Sequence, residues 1–206
     1  MGRSTGPKCR LCRREGEKLF LTGQTCYTEK CPVARRKTPP GLPARGRSRQ
    51  SQYAVHVREK QKLKRMYGVR EGQFRRYVDV AKRAKGIAGD NLLQLLERRL
   101  DATLYRGGMA SSRDQARQLV NHGHVWVNGR RVDIASYMTK PGDVIEFKGS
   151  AQNKKGIQAI VEENGKRDLP SWIEKSNKQL KVIDSPKRDE MEQEMRMHLI
   201  VEFYSR

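Results

Sequence analysis

The 206 residues suit one large domain or two small ones, and with 35% hydrophobic and 33% charged residues the core must be thin and the surface ionic. No apolar run is long enough to cross a bilayer and the N-terminus lacks the apolar stretch of a signal peptide, so a soluble, cytoplasmic protein is expected. The net charge of +21 is polarised: residues 1–50 carry thirteen basic against three acidic side chains, residues 51–100 thirteen against five, and the remaining 106 residues eighteen against fifteen.

A positive field of that strength repels itself unless a polyanion neutralises it, which makes nucleic acid the natural partner. An anionic membrane surface fits less well. It would call for an amphipathic helix with a bulky apolar face, and residues 1–100 hold six scattered aromatics.

All four cysteines fall in "CRLCRREGEKLFLTGQTCYTEKC", residues 9–31. Cys9 and Cys12 form one close pair, Cys26 and Cys31 a second, and a loop containing Gly16 and Gly23 separates them. Two short pairs joined by a reversing loop suit a tetrahedral zinc ion. Free thiols, two disulfides and an iron–sulfur cluster are the alternatives; a redox dithiol lacks its βαβ setting. The nearby Arg10, Arg13, Arg14 and Lys30 are expected to lower the thiol pKa values and favour thiolate ligands.

Residues 32–50, "PVARRKTPPGLPARGRSRQ", hold four prolines, two glycines and six basic residues, and read as an extended basic arm. In extended chain Arg45, Arg47 and Arg49 would project to one side, about 7 Å apart.

From Ser51 the pattern turns helical. Tyr53, Val57, Leu63 and Met66 recur at helical intervals, Gly68 stops the run, and Arg58, Lys60, Lys62, Lys64 and Arg65 form a basic face. A second helix places Phe74, Tyr77, Val78 and Ala81 inward. A third, "NLLQLLERRLDATLYRGG", is predicted as one helix capped by Asp90, with a leucine stripe from Leu92 to Leu104.

Ser112 is a good N-cap for a fourth helix ending at Gly123. "HVWVNGRRVDI" then alternates around Asn128-Gly129, a strong hairpin signal, and "KPGDVIEF" adds a turn and a strand. In the tail, "WIEKSNKQLKVI" and "MHLIVEFYSR" look strand-like, while "SPKRDEMEQEM" is acidic, with Glu190, Glu192 and Glu194, and suits a protein-facing helix.

Residues 98–147, from "RRLDATLYRGG" to "GDVIEF", resemble the S4 RNA-binding module. With the cysteine cluster, the basic arm, "YAVHVREKQKLKRMYG" and the terminal "VEFYSR", nearly the whole chain is similar to the zinc-bearing bacterial form of the S4 family of small-subunit ribosomal proteins. Residues 150–198 match least clearly. The fold then expected is α+β: a zinc knuckle and basic arm over 1–45, a helical RNA-binding domain over 46–97 completed by 165–206, and an S4 module over 98–164. The resemblance implies a non-enzymatic structural protein that binds the 5′ domain of 16S ribosomal RNA (rRNA) and nucleates assembly of the 30S body. It also implies contact with small-subunit protein five, a place beside the channel through which mRNA enters, and an influence on translational accuracy.

The candidate metal ligands are Cys9, Cys12, Cys26 and Cys31, holding one structural zinc. The candidate RNA contacts run from Arg3, Arg10, Arg13 and Arg14 through Arg35, Arg36, Lys37, Arg45, Arg47 and Arg49 of the arm. They continue along the two helices with Arg58, Lys60, Lys62, Lys64, Arg65, Arg75, Arg76, Lys82 and Arg83. In the module they are Arg113 and Arg117, one turn apart on a helix, then His122 and His124, then Arg130 and Arg131. Glu202, Phe203 and Tyr204 are the candidates for a protein contact. "RRLD" superficially matches the catalytic triplet of pseudouridine synthases, but the remaining chain leaves no catalytic domain around it. A zinc-finger DNA binder would need a groove-entering helix that the cysteine loop does not offer.

Overall fold

Short elements interrupted by glycine build the cysteine segment. Helix α1 (Lys8–Glu15) carries Cys9 and Cys12 and stops at Gly16, whose φ of 78° lets its N–H return to the Cys12 carbonyl at 2.9 Å. A 3-10 turn at Gly23–Cys26 and helix α2 (Pro32–Arg35), started by Pro32, bring in the other two cysteines. Leu19, Leu21, Val33, Cys12, Cys26 and Cys31 are buried, a small core for this segment.

The computed structural model describes residues 5–36, 38–42, 51–148, 154–164, 168–176, 179–191 and 195–205. The chain divides into two units, one of Met1–Leu92 with Glu194–Arg206, the other of Leu93–Gln193.

In the first unit, helix α3 (Gln52–Met66) is capped by Ser51, whose hydroxyl accepts the Ala54 N–H at 3.2 Å, and it ends before Gly68 at φ 60°. Helix α4 (Glu71–Arg83) buries the expected stripe of Phe74, Tyr77, Val78 and Ala81. Helix α5 (Ala88–Glu97) follows, with Asp90 inside its first turn; the Asp90 N–H bonds the Ile87 carbonyl at 3.0 Å, so Asp90 is not the cap. The tail segment "MHLIVEF", expected as a strand, is a helix: Met197 and Ile200, three residues apart, are its buried positions. We number it α9 (Met197–Phe203), and it packs on α3. Gly89 permits the close approach of this tail, since a Cβ there would lie 2.8 Å from Met197 Cβ.

The second unit pairs helices with one antiparallel sheet. The single predicted helix over residues 90–106 breaks at Arg98–Arg99, and α6 (Leu100–Arg106) is separate from α5. Arg99 is extended (φ −67°, ψ 138°) because the loop at 135–139 captures this stretch. The Leu100 N–H bonds the Tyr137 carbonyl at 2.8 Å and the Thr139 N–H bonds the Arg98 carbonyl at 2.8 Å. Helix α7 (Arg113–Asn121) is capped by Ser112 and stops at Gly123, φ 70°.

Strands β1 (Val125–Val127) and β2 (Arg130–Arg131) form the hairpin, with Asn128 at φ 50° and Gly129 at φ 74° as its turn. Then come β3 (Val144–Phe147), helix α8 (Lys155–Glu163), β4 (Ile173–Ser176) and β5 (Gln179–Val182). The sheet order is β2-β1-β3-β5-β4, with Trp126 opposite Arg131 and Glu146, and Ile145 opposite Leu180. Residues 165–206 were expected to complete the helical domain; Glu194–Arg206 do join the first unit, whereas β4 and β5 extend the module's own sheet. Leu180 and Trp172 join Leu100, Val120, Val127 and Ile145 in its core. Of the acidic tail, only Arg188–Glu190 is helical among the described residues, as one 3-10 turn. The architecture is α+β, as the order of helices and strands predicts.

Candidate nucleic-acid interface

The basic face of α3 is already occupied. Lys60 and Lys64 each reach Glu71 at 2.7 Å, Lys62 pairs with Glu17, and Arg65 and Arg58 both pair with Glu15, whose side chain is 2% exposed. Burial pushes the Glu15 pKa up, against the pull of Arg65, Arg58, Arg14 and Lys62. At Glu71 burial acts in the same direction, but hydrogen bonds from Lys60, Lys64 and Tyr204 win and hold its pKa at about 2. The structure therefore sets Arg58, Lys60, Lys62, Lys64 and Arg65 in intramolecular pairs, with Lys60 and Lys62 buried.

Helix α4 is different. Arg75, Arg76, Lys82 and Arg83 lie on its exposed side, opposite the Phe74–Ala81 stripe. None of the four has a carboxylate partner among the described residues; Lys82 donates to the Tyr204 carbonyl at 2.9 Å and to Ser205. Arg70 and Lys85, at the two ends of the helix, are exposed as well. They belong to the same patch and were readable from the same charge run. Arg10, Arg14, Arg35 and Arg36 are exposed on the cysteine segment. Arg13 instead donates to the Thr38 and Pro39 carbonyls at 3.0 and 3.3 Å, tying down the start of the arm. Arg3, Lys37, Arg45, Arg47 and Arg49 lie outside the described residues, as do Glu192 and Glu194.

The second unit divides its cations in the same way. Arg113 and Arg117, read as phosphate grips, are buried. Arg117 pairs with Asp101 at 2.5 Å, which also takes Arg99 at 2.9 Å; Arg113 pairs with Glu97 at 3.4 Å, which also takes Arg106 at 2.7 Å. Glu97 and Asp101 are 1% and 2% exposed, so two buried carboxylates position four arginines. This network carries no separate sequence signal beyond the spacing of acids and arginines along three helices, α5, α6 and α7. It also accounts for "RRLD": Leu100 is core, and Asp101 is an ion-pair anchor.

Arg130 and Arg131 are exposed on the hairpin. His122 and His124 have ring centroids 6.0 Å apart, and Lys154 Nζ lies 3.4 Å from His124 Nε2. Desolvation lowers the His124 pKa, and Lys154, His122 and Arg131 push the same way, so this corner is a cluster of positive or potentially positive groups. Lys148, over the Trp126 ring at 4.9 Å and 3.9 Å from a Glu146 carboxylate oxygen, is a further, partly paired cation.

Glu202, Phe203 and Tyr204 hold the C-terminal helix in place. Tyr204 donates to Glu71 at 2.5 Å, its ring lies 6.0 Å from Phe74, and Phe203 lies 6.0 Å from Tyr53. Lys60 Nζ sits 4.6 Å over Phe203, and Glu202 is 3.5 Å from the buried His56. Burial and the bond to Glu71 push the Tyr204 pKa up.

The four thiols gather in the small N-terminal core. Cys26 shares a 3.0 Å hydrogen bond with Thr22. Burial raises the pKa values of Cys9 and Cys12, and the neighbouring cysteines add to the rise. For Cys9 and Cys12 the expected lowering by nearby arginines is thus overturned, because desolvation, helped by the neighbouring thiols, dominates. Among the described residues, no three His, Cys, Asp or Glu side chains are drawn together closely enough to hold a metal ion.

Known proteins similar in sequence show the family to which the chain belongs. The profile described as Ribosomal protein S4/S9 N-terminal domain matches residues 3–97, and the S4 domain profile matches residues 98–145. The chain is 54% identical over 208 aligned residues to small ribosomal subunit protein uS4 of Caldicellulosiruptor bescii. It is 53% identical to that of Caldicellulosiruptor saccharolyticus and 50% to that of Ruminiclostridium cellulolyticum, each alignment covering 100% of both chains. The chain belongs to the uS4 family of small ribosomal subunit proteins. As a uS4-family protein it is a structural, non-enzymatic component of the small subunit, bound to the ribosome in the cytoplasm, with an S4 RNA-binding domain over 98–145. Among the described residues, no helix of this uS4-family chain is long and apolar enough to cross a membrane.

Proposed function

We propose that this chain binds the 5′ domain of 16S rRNA directly and early, and thereby nucleates assembly of the 30S body. The observation that carries the proposal is the division of its cations: those of α3 and α7 are neutralised internally, whereas those of α4 and the hairpin face solvent without carboxylate partners among the described residues. Solvent-facing arginines at fixed positions on rigid elements suit the phosphates and riboses of a folded RNA junction. Binding of the full chain to a 5′-domain transcript, measured across salt, should give a linear fall of log affinity with log salt concentration. Equal affinity for duplex DNA would overturn the reading.

The same reading includes a contact with small-subunit protein five, a position near the channel through which mRNA enters, and an effect on translational accuracy, all supported by family membership. For mRNA, Arg45, Arg47 and Arg49 are the residues to test. Triple replacement by alanine should leave subunit yield unchanged and slow passage through a stable mRNA hairpin; reduced yield with normal passage would leave them an rRNA clamp.

One structural zinc on Cys9, Cys12, Cys26 and Cys31 completes the proposal. The donor set fits: four thiols, three of them buried, with Cys26 and Cys31 near enough to oppose ionisation of Cys9 and Cys12, a repulsion that a dication would reverse. Zinc would cross-link α1, the 3-10 turn and α2, which bury little core of their own. Elemental analysis of chain purified without added metal should give about one zinc per molecule. Iron with acid-labile sulfide, or a mass showing disulfides, would overturn it.

A further inference from the structure

Phe20 is held in a conformation that an aromatic residue adopts only under constraint. Its φ of 49° lies in the left-handed region, where Cβ crowds the backbone. Among the described non-glycine residues only Asn128 shares that region, and there a two-residue hairpin requires it. The constraint on Phe20 comes from both neighbours. Leu19 and Leu21 are 1% and 8% exposed, anchored in the core of the cysteine segment, and the residue between them is turned outward.

Two rings meet there at the surface. Phe20 is 36% and Tyr27 56% exposed, and their centroids lie 5.0 Å apart with planes 31° from parallel. The hydrophobic effect drives such rings inward, so a strained backbone that presents one beside another points to a use. The charge nearby is chiefly positive. Lys18, two residues before Phe20, and Lys30, three after Tyr27, are exposed; of the local acids, Glu17 is committed to Lys62, which leaves Glu29.

We propose that Phe20 and Tyr27 form a stacking platform for an unpaired base of RNA, with Lys18 and Lys30 neutralising the flanking phosphates. Bases inside a duplex hide their faces, so the platform selects a bulged, looped or junction nucleotide, and it tolerates any base because each has a π-face. The inference rests on the reading of the chain as an rRNA binder and adds to it a contact with a base.

The test uses the full chain and a 5′-domain transcript of 16S rRNA. Tyr27→Ala should weaken binding about 10-fold, while Tyr27→Phe keeps the parent affinity. Phe20→Ala and Phe20→Gly both delete the ring, but only glycine relieves the backbone. The two should therefore lose affinity equally, with the glycine variant melting at the higher temperature. Ultraviolet irradiation of the wild-type complex should leave a nucleotide adduct on the peptide spanning residues 18–30. If affinity instead follows thermal stability across the Phe20 pair, the ring has only a structural role. If all the variants bind like the parent, or the adduct is missing, the platform is wrong. If Arg75→Glu/Arg76→Glu still weakens binding strongly in that case, the rRNA reading survives without it. Failure of the wild-type chain to bind the transcript would overturn both.

Discussion

Helices α3 and α4 follow one another in the sequence and are similarly basic, yet they use their charge in opposite ways. The cations of α3 meet Glu15, Glu17 and Glu71, whereas Arg75, Arg76 and Arg83 of α4 meet water. Counting lysines and arginines measures the field a chain generates; it does not say which of them remain available to phosphate. The distribution of a few carboxylates decides that, and here each sits on a different element from the cations it neutralises.

The sharpest way to break the contrast is to unbalance an internally paired site. Asp101→Asn would leave Arg99 and Arg117 buried without their anion, and chemical denaturation should show a loss of about 3–5 kcal/mol. A loss below about 1 kcal/mol would mean that the network contributes little. Next comes the reciprocal pair of double variants. Arg75→Glu/Arg76→Glu should weaken rRNA binding by about 100-fold and reduce the salt slope by about two, as expected when two phosphate contacts are lost. Arg58→Gln/Lys62→Gln should lower the unfolding midpoint and change affinity by no more than about threefold, because those cations already have partners. Comparable affinity losses in the two double variants would erase the distinction between the helices.

Glu15→Gln should change stability at neutral pH by less than about 1 kcal/mol, because the buried carboxylate loses in desolvation much of what it gains from Arg58 and Arg65. The smallest effect is one of pH. The folded pKa of Glu71 is depressed to about 2 from an ordinary 4.5, so its contribution is complete above 4.5 and lost as pH falls toward 2. Tyr204→Phe removes one donor to that carboxylate and should move the acid limb of the unfolding curve to higher pH. An unchanged acid limb, or one moved downward, would remove Tyr204 from the cause.

Features with a local cause were legible in the sequence. The Phe74–Ala81 stripe, the Ser51 and Ser112 caps, the Asn128-Gly129 turn and the stops at Gly68 and Gly123 follow from spacing or from φ preference. Features caused by distant contacts were not. Nothing near Arg98 announces a break in the helix, because the competing hydrogen bonds come from the loop at 135–139. "MHLIVEF" has too continuous an apolar run to distinguish strand from helix, and its docking site is more than a hundred residues away. The same limit governed the site. The basic residues could be named from sequence, but their status as bound or available depended on partners such as Glu71 for Lys60 and Asp101 for Arg117, which only the fold assigns.

The position of α9 has a consequence for biosynthesis. The second unit is one continuous stretch, Leu93–Gln193, and all of it has left the peptidyl transferase centre before the chain is finished. The first unit is discontinuous: it combines Met1–Leu92 with Glu194–Arg206, which are translated after the whole of the second unit. Tyr204 and Phe203 can reach Glu71, Phe74 and Tyr53 only after the whole second unit has been synthesised. Vectorial synthesis therefore inverts the order of folding: the later-made unit can close first, and the N-terminal unit waits for the segment at 194–206.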